Sequence, residues 1–270
     1  MVLYEREPIK KIVKRKTEFS VAKKKEEEEE KNEEEVGSST RGGHVKFMHW
    51  VKKMSDTQKK LVHEIGLGPL LDIELPQLDK QFSHWVLDSF EVSSCSFELP
   101  KGEKIEIEVE DVIIVYGLPM GDIPIVEAKS DRASEDFGVF IKNWRSKWQG
   151  KTPSVNQIIA QYTSDKFKNQ RPAEEDFLTN FLVVVVNCLM KCISNNQCHF
   201  KFLFSMMDKE KIKNLNWCQY VFDSLISCHV TWRKSGGKGF YNGPLQFLMV
   251  SLQHTIVNYK MFILVIMNVH

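Results

Sequence analysis

The apolar run from Phe177 to Ile193, with Val183-Val184-Val185-Val186 at its centre, restricts this chain more than any other feature. Only a protein core or a bilayer accepts such a stretch. A membrane-spanning helix needs about 20 predominantly apolar residues. This run is broken by Thr179, Asn180, Asn187 and Lys191, and acidic residues precede it. It therefore reads as a buried core helix or strand around which the rest of the chain must close. A second apolar run, Met261 to Val269, is shorter still and cannot cross a bilayer as a helix. No membrane partner is expected.

The chain has 270 residues. Residues 1–45 form a tail that buries nothing: Lys10-Lys11, Lys14-Arg15-Lys16 and Lys23-Lys24-Lys25 are followed by Glu26 to Glu30 and Glu33 to Glu35. Blocks of like charge repel and stay solvated, so a disordered tail is expected, with the glutamates transiently helical beside the lysines. Gly37-Ser38-Ser39 and Gly42-Gly43 make a hinge. The remaining length suffices for one well-buried domain. The net charge is +1, so no global field argues for nucleic acid or an anionic surface. The basic clusters fit a bipartite nuclear-localisation signal, with a plain solvated tail as the alternative. They are also the cheapest phosphate contacts the chain could offer. Cys95, Cys188, Cys192, Cys198, Cys218 and Cys228 follow no secretory leader and read as reduced thiols of an intracellular protein.

Local patterns predict a mainly α domain with one small β-hairpin. Ser55, or Thr57, caps a helix through Leu61 and Ile65 that Gly66 and Gly68-Pro69 stop. A second helix covers Gln81 to Phe90, with Trp85, Val86 and Phe90 on a broad apolar face. Ser96-Phe97-Glu98-Leu99 and Ile105 to Val109 alternate across Pro100-Lys101-Gly102-Glu103, giving a hairpin that buries Phe97, Leu99, Ile105, Ile107 and Val109. Glu110 and Asp111 open a short helix that Gly117 ends in the left-handed region and Pro119 blocks. A polar linker runs from Glu127 to Glu135. Helices follow over Phe137–Trp148, from Pro153-Ser154 to Tyr162, and over Asp208–Trp232, the last with Leu215, Cys218, Phe222, Leu225 and His229 on one stripe. Asn242 caps a final helix with Pro244 in its first turn.

No arrangement of reactive residues points to catalysis. Cys188, Cys192, Cys198 and His199 invite a zinc reading, but no second Cys pair follows, and they read as structural thiols. Cys218, Asp223 and His229 supply the residue types of a cysteine protease, yet they share one predicted helix and read as packing. His254, on the next predicted helix, reads as a satisfied surface or boundary histidine. Ser235-Gly236-Gly237-Lys238-Gly239 lacks the spacing and the preceding strand of a phosphate-binding loop. Glu106 and Glu108 read as the wet face of the hairpin. No cofactor, metal or small-molecule substrate is expected.

Several short blocks, in order and spacing, resemble a plant family. His49-Trp50, Met54-Ser55, Leu61, Glu64-Ile65-Gly66-Leu67-Gly68 and Leu70-Leu71 form the first. Trp85-Val86-Leu87-Asp88-Ser89-Phe90 forms the second, and Glu110-Asp111-Val112 through Gly117-Leu118-Pro119-Met120-Gly121 the third. Asn216-Trp217-Cys218, with Val221 and Asp223, precedes Phe240-Tyr241-Asn242-Gly243-Pro244-Leu245-Gln246-Phe247-Leu248. These blocks are similar to those of transposon-derived plant proteins resembling the plant mobile domain, often labelled aminotransferase-like and often found ahead of a SUMO-type cysteine protease domain. The resemblance spans residues 46–258. It implies a helical module without an established catalytic set, in which Trp85, Asp88, Glu110, Asp111, Val112, Gly117, Leu118, Pro119, Gly121, Asn216, Trp217, Cys218, Gly243 and Pro244 are structural. Residues 259–270 do not continue the pattern and read as a fragment end or translated intron. The expectation is a non-catalytic, mobile-element-derived module, nuclear or otherwise cytoplasmic, that contacts protein or nucleic acid. The alternatives are the N-terminal regulatory part of a SUMO-type protease and a decayed gene product.

Overall fold

The computed structural model describes residues 43–77, 80–98, 102, 104–164, 174–192, 197–237 and 239–268, with backbone alone at 80 and from 257 onward. Residues 1–42, with the basic clusters expected to act in localisation, and Leu99 lie outside these residues; residues 43–45, expected to end the tail, instead open the helix Gly43–Val51, with Gly43 and His44 buried. The fold is mainly helical with one small antiparallel sheet.

Local chemistry sets the helix starts. Ser55 and Ser154 open α2 (Asp56–Glu64) and α6 (Val155–Thr163) with reciprocal bonds to Gln58 and Gln157 three residues on. Ser134 caps α5 (Glu135–Ser146) by accepting from Phe137 N–H. Each such cap contributes about 1 kcal/mol. α1 (Gly43–Val51) precedes them, and a 3₁₀ turn, Gly68–Leu71, follows α2. α4 (Asp111–Tyr116) ends at Gly117 with φ 63°, the left-handed end that the sequence predicts.

The hairpin is part of a three-stranded sheet. β1 (Phe90–Glu91) leads straight out of α3 (Lys80–Ser89) and pairs with β2 (Ser96–Glu98), which pairs with β3 (Lys104–Glu106). Phe90, Phe97 and Ile105 face one another across the three strands. Ile107 is buried, Val109 only half so, and Glu106 and Glu108 are exposed. On α3 the broad apolar face is narrower than expected. Val86 and Leu87 are buried, but Trp85 points outward, 48% exposed, and stacks on Phe82 at 5.8 Å.

The valine run is helical and buried on every side. α7 (Glu174–Val185) passes into a π-helical turn, Val186–Met190, and Val183 to Val186 are fully enclosed. β-branched residues are indifferent helix formers, so tertiary packing decides their state here. Trp50, Tyr162, Phe177 and Phe181 interlock around α7 with ring centroids about 6 Å apart. The polar residues in the run are satisfied. Asn180 accepts from Trp144 Nε1 and donates to Tyr162 and to Asp176 O. Asn187 exchanges bonds with the His199 backbone. Among the described residues no helix is long and apolar enough to cross a membrane.

Two expectations fail in the last third. Asp208–Trp232 is not one helix: a 3₁₀ segment, Lys209–Asn214, stops before α8 (Trp217–Lys234). Leu215 and Asn216 are drawn out to bridge Ile123 and Met120, and the Asn216 side chain then caps α8 through Gln219 N–H. Asn242 does not cap α9 (Leu245–Asn268). It lies before Pro244, whose carbonyl takes the first helical bond from Leu248, and its own Oδ1 is buried without a partner. α9 continues unbroken through residues 259–268.

Candidate functional site

Three of the motif blocks meet at one corner. Gly117 stands where a Cβ would lie 2.4 Å from Pro69. Leu118 O accepts from the Cys218 thiol at 3.2 Å, and Pro119 O from Trp217 N at 3.2 Å. Met120 bridges Asn216, and a Cβ on Gly121 would fall 2.0 Å from Asn214 O. Val112 and Trp217 are fully enclosed beneath. Asp111 accepts from Glu108 N–H, Glu110 is exposed, and Asp88 pairs at the surface with Arg233. These residues hold main chain against main chain and, at Gly117, against the Pro69 ring.

The protease-like trio is dispersed by its own bonds. Cys218 is committed to Leu118 O, His229 Nε2 donates to Leu87 O at 2.8 Å, and Asp223 accepts from Gln219. Burial pushes the Cys218 thiol up to about 11, and those of Cys192 and Cys198 up to about 12, away from the reactive thiolate. No group of three or more metal-ligating side chains forms among the described residues. Gly236, Gly237 and Gly239 all have positive φ, but their turn leaves the carboxyl end of α8, where carbonyls rather than N–H groups point outward. Lys238 lies outside the described residues. His254 sits exposed on α9.

The supposed linker at Glu127 carries a cluster that spacing does not reveal. Glu127 Oε1 accepts from Lys191 at 2.8 Å, His199 at 2.9 Å and Tyr220 at 2.8 Å. Burial alone would raise its carboxyl, but the His199 and Lys191 bonds outweigh it and hold the group down at about 2. A carboxylate so acidic is too weak a base for proton abstraction near neutral pH. It pins the loop after Ile123 to the π turn and to α8.

A further concave site lies at the head of the last helix. A cavity of about 90 Å³ lies between α3, the end of α8 and the head of α9, with His44 of α1 and Leu189 and Cys192 of the π-turn region closing its far side. Its mouth is marked by exposed His84 and Gly239 and half-buried Phe240, while Trp232, Tyr241 and Gln246 are buried deeper. The polar centre is Gln246, 4% exposed. Its amide donates to Pro76 O at 3.0 Å and to His44 Nε2 at 2.9 Å, which uses both amide hydrogens. Burial holds the His44 imidazole down at about 4, against a weaker opposing pull from the Pro76 carbonyl, so it is neutral and serves as the acceptor. Gln246 Oε1 is then left without a partner. Gly243, Pro244 and the residues around them thus line a cavity, which the sequence reads only as a helix start.

No curated protein and no solved structure matches the chain. The family described as Domain of unknown function (DUF8566) matches residues 40–249, which takes in the corner, the Glu127 cluster and the cavity. The chain belongs to that family.

Proposed function

We propose that this chain is a non-catalytic interaction module of mobile-element descent, resembling the plant mobile domain, that holds a protein partner in the nucleus. The observation that carries the reading is the outward stack of Trp85 on Phe82. A half-exposed Trp is a costly surface residue and the type most enriched at interaction hot spots. Ile113 and Ile114 of α4 add further exposed apolar surface, at 45% and 58%. A protein partner is favoured over nucleic acid by charge. Eleven basic and eleven acidic residues precede residue 43, which leaves 26 and 25 in the remainder. The fold region is therefore near neutrality and offers little attraction to phosphates. The buried thiols and the acidic Glu127 fit a module that does no chemistry.

The test compares the full chain with its Trp85→Ala variant in crosslinking and affinity capture from plant nuclear extract. The expected result is at least a tenfold loss of captured protein with an unchanged melting temperature. Equal capture by both chains, or salt-sensitive DNA binding that survives the substitution, would overturn the reading.

A further inference from the structure

We propose that the cavity at the head of α9 is an apolar anchor pocket that takes a branched four-carbon side chain, leucine or isoleucine, from a partner polypeptide. The pocket stands on its own walls; only the choice of a polypeptide source rests on the reading of the Trp85 surface.

The walls decide the chemistry. The lining residues include no acid, lysine or arginine. Burial keeps the His44 imidazole neutral, at about 4, and the Cys192 thiol protonated, at about 12. The hydroxyls and the amide of the lining are already committed within the protein. Ser83 donates to Met249 Sδ at 3.7 Å, Tyr241 to Leu225 O at 3.4 Å, and the Gln246 amide to His44 and to Pro76 O. Gln246 Oε1 has no partner but is sealed within the protein. A buried water needs about two to four polar partners, so water is a poor occupant here, and an apolar group that displaces it gains. A cation would find no counter-charge in the walls, and the Arg233 guanidinium already lies 5.4 Å from the Trp232 ring centroid. Trp232 and Tyr241 stand edge to face at 85° with centroids 6.3 Å apart, and with Leu87 and Leu189 they give the cavity apolar walls.

Size and position name the group. A dry engineered cavity of about 150 Å³ accepts benzene, so 90 Å³ suits roughly four carbons. The side chains of leucine and isoleucine are that size. The rim favours a side chain carried on a polypeptide over a free hydrocarbon. The mouth carries exposed His84, and the next residue on α3 is Trp85, stacked outward on Phe82. A polypeptide lying on that stack passes beside the opening.

The probe is N-acetyl-leucine methylamide, titrated into the full chain while the Trp232 indole N–H resonance is followed, that resonance being assigned with Trp232→Phe. The alanine derivative has the same backbone and lacks the rest of the isobutyl group. The expected result is a saturable shift with the leucine derivative and binding of the alanine derivative at least tenfold weaker, which is about 1.4 kcal/mol. Cys192→Leu fills the cavity and is expected to abolish the response. A retained thermal transition confirms that this variant folds, and the alanine comparison decides if it does not. Trp85 is not among the lining residues, so Trp85→Ala is expected to leave the response to this short probe unchanged. Loss of capture by that variant and loss of leucine binding are therefore separate results. Isobutanol offers the same group without a polypeptide. Binding of the leucine derivative as tight as that of isobutanol, or tighter, supports a partner's side chain; tighter binding of isobutanol would overturn the polypeptide source. No saturable shift, equal binding of the alanine derivative, or a response that persists in folded Cys192→Leu would overturn the proposal.

Discussion

The corner at Gly117–Gly121 and the cavity at Gly243–Gln246 are built from the same materials: Gly, Pro, an aromatic and a helix start. They do opposite things. At the corner Gly121 lets backbones from distant segments touch, since a Cβ there would meet the Asn214 carbonyl at 2.0 Å, while Gly117 makes room for the Pro69 ring. At the cavity a Cβ on Gly243 would meet the hydroxyl end of Tyr241 at 2.3 Å, and that ring borders open space. The identical residue is irreplaceable where its neighbour is main chain and negotiable where its neighbour is a side-chain tip beside a void.

That contrast is open to attack by substitution, beginning with the greatest loss. Gly121→Ala should cost about 3 kcal/mol or more in urea unfolding, because neither backbone can retreat without breaking the Ile123–Asn214 and Trp217–Pro119 bonds. A cost below 1 kcal/mol would show that the corner is softer than its contacts.

The cavity side has its own signature, in acid. His44 is held at about 4 in the fold against an ordinary 6.5. Its neutral form is the folded one, so this contribution is complete above pH 6.5 and is lost as pH falls from 6.5 towards 4. The loss amounts to at most about 3 kcal/mol. Denaturant midpoints between pH 7 and pH 4 should fall in the wild type and fall less in His44→Gln. Glu127, with its carboxyl near 2 against 4.5, loses its contribution as pH falls from 4.5 towards 2, which lies mostly below that window. Smallest of the three, Gly243→Ala should cost about 1 kcal/mol, with Tyr241 shifting into the cavity. A loss as large as that of Gly121→Ala would erase the distinction between the two regions.

What was legible in the sequence was local. Ser55, Ser154 and Gly117 act on groups within four residues, and each is where its pattern places it. The buried helical run was legible as buried because its composition allows nothing else, though helix and strand were not separable. Its π turn was invisible, since it answers to Asn187 bonding the His199 backbone across a gap of 12 residues. Glu127 was read as linker because its three donors lie 64, 72 and 93 residues away. Trp85 was assigned inward because an apolar stripe gives no sign of where the core ends. The cavity was illegible for a related reason: a void is a property of five segments at once, and none of them announces it.

The His44–Gln246 bond joins residues 202 apart and closes the first helix of the fold onto the last. It also sets a timetable. At about 5–20 residues per second of synthesis, His44 waits roughly 10–40 s before Gln246 exists. Until then the His44 imidazole lacks its Gln246 partner, and the apolar face that α9 will cover is bare. A nascent chain of this kind carries that apolar surface uncovered through most of its translation, and a chain that stops before Gln246 lacks the bond that joins the two helices.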